Sequence, residues 1–474
     1  MDKKIFLIFA IFTVIKGLLW IWSIPPFLAP DELPHFAYTQ YLVEEKAIPK
    51  NTGKIMPLVT SMSEELEMAS KLMQDRHLSI SFSHMIFPEK YEPIPNEFSN
   101  YSRTVNKENY KNSAAIYSPF YYAIEAIPYI LGYNLDFFSR FYLMRIFSLI
   151  FLFVTLIYSY KAALLVSGEK IFAITAAIIV SLMPSINSSS FGGINNDAAL
   201  IALSQILIYW TLKTINNPNA KIVTTIGGGV LLGMTLLTKP QAIIFIPFVA
   251  GILLYKGFKE KMIRRALIAL FVILLIALTI AAPFYIDPIT YLLNDLGGGS
   301  NQALNIFSLD NISAAIGSDI TGRLSMLFEF WLQTQLFANL YPFYVLSLIL
   351  ALELAAIIGL AYIAKDYLKK ITAPSKNFYV YLMICIAAFF MLDIFLKLLY
   401  YKGALTNQYY GFGGQGRYYF PIIGPIIILF LAGLRRFSFR LKIPVNAIYA
   451  SLILFFLILH NYALFNIILQ SNYI

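Results

Sequence analysis

Cysteine is almost absent from this 474-residue chain: the one copy, Cys385, lies inside a hydrophobic run. A single thiol excludes an internal disulfide and a thiolate metal cluster. Histidine is rare too, and His77, His84 and His460 are scattered without zinc-type spacing. No Gly-x-x-x-x-Gly-Lys-Ser/Thr phosphate loop occurs. Gly227-Gly228-Gly229 instead falls in an apolar run, where small residues let helices pack closely. No expected cytoplasmic segment is large enough to bind a nucleotide, which disfavours ATP-driven transport and transfer from cytosolic nucleotide sugars. Charged residues make up only 13% of the chain against 58% hydrophobic, more apolar surface than a soluble protein can bury.

What is abundant is long apolar runs. Runs of 18 or more residues recur, predicting an all-α polytopic membrane protein, and their continuity excludes a transmembrane barrel. Eleven spans are expected, near 5–24, 141–163, 171–190, 198–214, 222–238, 240–256, 266–285, 343–364, 377–397, 418–434 and 445–466. The segment 114–133 carries Glu125, Pro119 and Pro128 and reads as a re-entrant or surface-lying helix. The net charge of +10 does not point to nucleic acid, because most Lys and Arg lie in short loops between spans. There they set topology. Lys3 and Lys4 place the N-terminus in the cytoplasm, and the apolar stretch to Ile24 reads as an uncleaved signal anchor. With 114–133 not crossing, the basic loops 161–170, 213–221, 256–265, 365–376 and 435–442 all fall on the cytoplasmic side. The expected location is the cytoplasmic (inner) membrane, with functional groups on the external face. The simplest organisation is one membrane domain, 1–474, with external elaborations at 25–140, 286–342 and 398–417. Helical stretches are expected within the first of these, including one near 63–76 that opens Ser-Glu-Glu.

That face collects the chemically useful residues. Pro30-Asp31-Glu32-Leu33-Pro34-His35 follows directly on the first span. Asp31 and Glu32 sit four and three residues before His35, so a helix would place them on one face. Acids here also read as a helix cap. Ionisable groups at a membrane surface are costly and are functional candidates. Asp197 ends Asn195-Asn196-Asp197 after the third span, where it either caps the next helix or joins a site. Arg140 and Arg145 lie at the external start of the second span; the deeper Arg145 needs a partner or an anionic ligand. Lys239, in Thr238-Lys239-Pro240, goes against the positive-inside trend and suits an anion. Gln415-Gly416-Arg417-Tyr418 joins a glycine, which permits close backbone approach, to an arginine suited to phosphate.

The order and sidedness of these motifs resemble the GT-C glycosyltransferases. In that superfamily a first span is followed by an external acidic motif, a long loop with surface helices, and a second acid after the third span. Within it the chain is similar to an uncharacterised bacterial family of predicted multi-spanning membrane proteins. Pro30-Asp31-Glu32-x-x-His35-Phe36, Tyr117-Ser118-Pro119, Asn195-Asn196-Asp197, Thr238-Lys239-Pro240 and Gln415-Gly416-Arg417-Tyr418 with Pro421 carry the likeness. Related enzymes read His-Pro-Pro where this chain has Tyr117-Ser118-Pro119.

The resemblance implies transfer of a sugar from a polyprenyl-phosphate donor to a cell-envelope glycan or lipid-linked acceptor. Membrane lipid is a partner and nucleic acid is not. Asp31 is then the expected base, with Glu32 as its substitute, and a single displacement inverts the anomeric centre. Arg145, Lys239 and Arg417 form the expected phosphate clamp, with Arg140, Gln415 and Tyr418 also in the substrate-binding set. His35 and Asp197 orient the acceptor. A divalent cation, Mg2+ or Mn2+, on Asp31, Glu32 and Asp197 is left open. The alternatives are a polysaccharide polymerase or ligase using a lipid-linked oligosaccharide, and a lipid-linked sugar flippase. No paired halves of the kind transporters use are visible.

Overall fold

The computed structural model describes residues 3–49, 59–75, 101–215, 222–297, 320–334, 341–369, 377–405 and 415–469. It is helical almost throughout. Helix α1 (Lys3–Ser23) leads through a short loop to α2 (Glu32–Glu44). The segment 25–140 then adds α3 (Glu64–Asp75), α4 (Phe120–Leu131) and a two-stranded antiparallel pair, β1 (Val59–Ser63) with β2 (Val105–Lys111). That strand pair departs from the all-α expectation. The helix expected near 63–76 forms as α3, and its first turn is capped where Leu66 N–H donates to Ser63 Oγ at 3.1 Å.

The remaining helices are α5 (Phe137–Phe147), α6 (Leu149–Ser167), α7 (Lys170–Leu182), α8 (Asn196–Ile215), α9 (Ile222–Thr238) and α10 (Phe245–Lys259). They are followed by α11 (Ile263–Gly297), α12 (Ile320–Leu332), α13 (Phe343–Leu368), α14 (Phe378–Leu405), α15 (Ile423–Arg440) and α16 (Val445–Tyr462). Among the described residues, eight helices are long and apolar enough to cross a membrane. A ninth forms if α7 and the turn Pro184–Phe191, bent by 55°, make one broken span. With the shorter apolar helices Phe9–Ser23 and Val223–Thr238, these fall on the expected spans one for one. Helix α4 has 12 residues, roughly 18 Å at 1.5 Å per residue, too short for a hydrocarbon core of roughly 30 Å.

Side-chain burial orders the helices from centre to rim. Helix α8 and the segment Gly416–Arg440 are the most enclosed, with 72% and 67% of their apolar windows buried. Helices α11 and α13 bury only 17% and present Phe271, Leu275, Leu354 and Ile357 outward, as a lipid-facing rim requires. One continuous apolar core runs from Trp20 to Ile468. Two smaller cores, around Phe36 and around Tyr38, tie α2 to α4 and α5.

Helix ends sort into two sets. At one end Arg435 pairs with Glu169 at 2.7 Å, Arg436 pairs with Asp366 at 2.5 Å, and Lys256 Nζ donates to Thr214 O at 2.7 Å. These contacts join segments from the basic loops expected on one face. The motifs carrying Asp31, Asp197, Lys239 and Arg417 meet at the other end.

Candidate functional site

The site begins with the loop between α1 and α2. Asp31 occupies the N-cap position of α2 but adopts a left-handed backbone, φ 60°, and its side chain makes no capping hydrogen bond. Outside glycine this conformation is sparsely populated, and asparagine and aspartate tolerate it best. The carboxylate turns away from the helix and accepts from Arg417 Nη2 at 2.8 Å. The cap alternative is therefore set aside by geometry. The Asp31 side chain is 50% exposed while protein packs closely around its inner half, so a ligand can reach it. Burial pushes its carboxyl up. Arg417, helped by His35 and Lys239, outweighs this and holds it below the ordinary carboxylate range.

Glu32 points the other way, and this corrects its expected role as substitute base. Its side chain is 0% exposed and meets Arg145 in a bidentate pair, Nε to Oε1 and Nη2 to Oε2, both at 2.7 Å. It also accepts the backbone N–H groups of Phe27 and Ile194. Arg145, itself 0% exposed, spends its other protons on the carbonyls of Ile21, Ile24 and Pro25. Neither group faces a space that a substrate enters. The pair pins the 25–32 loop to the end of α1 and to the 193–194 turn. A Cβ on Gly193 would lie 2.3 Å from Ala29 Cβ and 3.1 Å from Glu32 Oε1, so only glycine fits beside the pair. Arg140 is corrected likewise: it is buried, donates to both oxygens of Glu65 at 2.7 and 2.6 Å, and lies 4.9 Å from the Tyr129 ring. Sequence reasoning missed Glu65, because nothing in the 25–113 loop marked which acid would meet the arginine.

The turn Asn195-Asn196-Asp197 acts as a connector. Asn195 Nδ2 donates to Pro30 O at 2.9 Å, directly beside Asp31, and Asn196 Nδ2 donates to Thr238 O at 3.0 Å, directly beside Lys239. Asp197 opens α8 and accepts from Lys239 Nζ at 2.6 Å. Burial works against the Lys239 charge, but Asp197 more than restores it and holds the ammonium above its ordinary range. Lys239 Nζ lies 5.7 Å from the Tyr117 ring and 5.8 Å from the Tyr418 ring, between two aromatic faces. The Tyr117 segment is fixed by its neighbour, since Ser118 Oγ donates to Leu237 O at 2.6 Å.

Arg417 enters from the 3-10 turn Gly416–Ile422 that precedes α15. Its Nε donates to Gln415 Oε1 at 2.6 Å and its guanidinium lies 5.5 Å from the Tyr418 ring. Its Nη1 is buried and has no hydrogen-bond partner among the described residues; Asp197 Oδ2 and Asn196 Oδ1 share that condition. Gly416 donates its N–H to Glu329 Oε2 at 2.9 Å, and a Cβ there would fall 2.1 Å from Phe330 N. The whole turn is moored by Gln205 of α8, which donates to Pro421 O and accepts from Gly424 N–H. The aromatic stretch from Tyr409 to Phe412 lies outside the described residues.

His35 closes the floor. Its Nδ1 is 2.9 Å from Tyr122 Oη, and its ring stacks on Tyr117 at 6.1 Å and on Tyr122 at 5.8 Å. Burial drives its imidazole down to about 4, so it is neutral at pH 7.

A divalent ion on Asp31, Glu32 and Asp197 does not fit this arrangement. Each carboxylate is neutralised by its own cation, Arg417, Arg145 and Lys239 respectively. Among the described residues no group of three His, Cys, Asp or Glu side chains converges to hold a metal.

Among the solved structures similar to the chain at low identity are two with bound polyprenyl-type phosphates. ArnT from Cupriavidus metallidurans, bound to undecaprenyl phosphate, is 13% identical with a TM-score of 0.45, over 99% of this chain and 74% of that one. The oligosaccharyltransferase AglB from Archaeoglobus fulgidus, in complex with an inhibitory peptide and a dolichol-phosphate, is 14% identical with a TM-score of 0.42, over 93% and 55%. The chain thus spans about half the length of the archaeal oligosaccharyltransferase chains it matches, 53% and 55%. Likeness at this level carries no argument about activity. Among curated proteins there is no match. A family model does match, over residues 14–426, from before the Asp31 motif to beyond the Arg417 motif. The chain belongs to that family, DUF2142, described as predicted membrane proteins.

Proposed function

We propose that this protein is an integral-membrane glycosyltransferase that moves a sugar from a polyprenyl-phosphate donor to a hydroxyl of a cell-envelope glycan or lipid-linked acceptor. The observation that carries the reading is the Asp31–Arg417 pair. A half-exposed carboxylate, in a backbone conformation that makes no cap, faces an arginine with an unpartnered Nη1. Base and anion clamp thus stand side by side, as displacement at a sugar phosphate requires.

The chemistry follows from the residues. Asp31 takes the acceptor hydroxyl proton as that oxygen bonds to the anomeric carbon. The bond from the anomeric carbon to phosphate oxygen breaks on the opposite side, so the configuration inverts. Charge developing on the departing phosphate is met by Arg417 and Lys239, whose positions are set beforehand by Gln415 and Asp197. A carboxylate held below the ordinary range is a weak base in the ground state. Approach of the phosphate draws Arg417 from Asp31 and raises its basicity during the reaction. Tyr117 and Tyr418 offer flat faces for sugar C–H groups, and neutral His35 offers a polar ring edge to the acceptor. On the positive-inside reading of the basic loops, this face of the cytoplasmic membrane is the external one.

A flippase is the competing reading. Incubating purified protein with polyprenyl-phosphate sugars and an acceptor extract separates the two. Release of polyprenyl phosphate with a glycosylated product supports transfer. Donor consumption absent, with donor moved across the bilayer of a liposome, overturns it.

A further inference from the structure

A second polar cavity lies at the end of the helices away from Asp31. It encloses about 340 Å3 where the C-terminal ends of α8 and α10 meet the N-terminal ends of α9 and α11. Its lining includes Thr214 and Thr225, the charged Lys256, Glu260 and Arg265, and Ala269 of α11. Lys256 is anchored by its bond to Thr214 O. The turn between α10 and α11 is tight, with Lys261 at φ 57°; Lys256 before it and Arg265 after it both line the cavity, and Arg265 Nη1 lies 3.7 Å from Met262 Sδ.

The depth of the cavity fixes what reaches it. The candidate span that includes α10 ends at Lys259 and that of α11 begins at Ile263, so Lys256 and Arg265 lie at span ends, where a membrane boundary is expected. Leu267, Ile268 and Phe271 are exposed on the outer side of α11, away from Ala266, Ala269 and Ile273, which line the cavity. Five basic residues, Lys256, Lys259, Lys261, Arg264 and Arg265, crowd this turn against one acid, Glu260. Basic and polar side chains lining a cavity where apolar spans end suit the phosphate of an anionic lipid headgroup.

We propose that this cavity binds the headgroup of an anionic phospholipid, with Lys256 and Arg265 on the phosphate and Glu260 and the threonines on headgroup hydroxyls. The site is independent of the sugar-transfer reading.

Native mass spectrometry and thermal shift on the full-length protein in detergent, titrated with phosphatidylglycerol, test it. Phosphatidylglycerol should bind and raise the melting temperature, and each of Lys256→Gln and Arg265→Gln should weaken binding about fivefold. Lys170→Gln, on the same face but outside the cavity, should leave binding unchanged. Ala269→Phe fills the cavity from a neutral position and should abolish binding without removing charge; it decides the matter if the charge variants do not fold. Phosphatidylcholine binding as tightly as phosphatidylglycerol overturns the proposal. So does inorganic phosphate giving the same stabilisation, or wild-type affinity in Ala269→Phe.

Discussion

At the scale of single residues, the structure divides carboxylates that the sequence left equivalent. Asp31 and Glu32 are adjacent, yet one is half exposed beside Arg417 and the other is sealed against Arg145. Removing one member of a sealed ion pair leaves an uncompensated buried charge, at roughly 3–5 kcal/mol. Arg145→Ala should therefore lower thermal stability sharply, measured as melting temperature in detergent. Arg417→Ala should leave it nearly intact while weakening donor affinity, measured by competition with polyprenyl phosphate. His35 gives a pH dependence. Its folded-state imidazole titrates at about 4 against an ordinary value of 6.5, so the unfolded chain takes up the proton first. Stability should fall as pH drops from 6.5 towards 4 and then level off on this account. A His35→Gln protein, followed by thermal melts across that range, should lose that part of the slope. The Asp31 carboxyl is held below the ordinary range, so its own contribution is kept through neutral pH and lost only at lower pH than for a free aspartate.

At the scale of elements, helices were legible and their interruptions were not. Long apolar runs fix a helix whatever its neighbours do, which is why each expected span falls on a helix. The break at 182–191 starts at Pro184, which carries a local signal, but its filling is a tertiary contact. Lys16, buried within α1, donates to Ser181 Oγ at 3.1 Å and to Asn187 Oδ1 at 2.8 Å, filling the gap where α7 bends. A lysine inside the first run carries no local signal of that partner 171 residues away. The β1–β2 pair was hidden for the same reason, since its strands are separated by α3 and a long excursion. The Gly416 turn was legible as a glycine but not as a contact. With a Cβ 2.1 Å from Phe330 N, Gly416→Ala should displace Arg417 from Asp31. The expected outcome is loss of donor affinity comparable to Arg417→Ala, with secondary structure by circular dichroism unchanged.

At the scale of the whole molecule, two sets of helix ends organise the account. Charge bias in the loops was enough to foresee that Asp31, Asp197, Lys239 and Arg417 share one end, because sidedness alternates with each crossing. It was not enough to foresee that Arg140 and Arg145, at the same end, serve architecture. Burial and pairing decide that, and both arise from residues distant in sequence. A reporter fused after Ser167 should read as cytoplasmic; an external signal would reverse the assignment of faces. The most direct test of the central claim is turnover by the Asp31→Asn protein, reconstituted with polyprenyl-phosphate sugar and acceptor, with released polyprenyl phosphate as the readout. The account predicts release by the wild type and none above background by Asp31→Asn, at near wild-type melting temperature and with donor affinity no weaker than that of the wild type. Turnover by Asp31→Asn at the wild-type rate would contradict it.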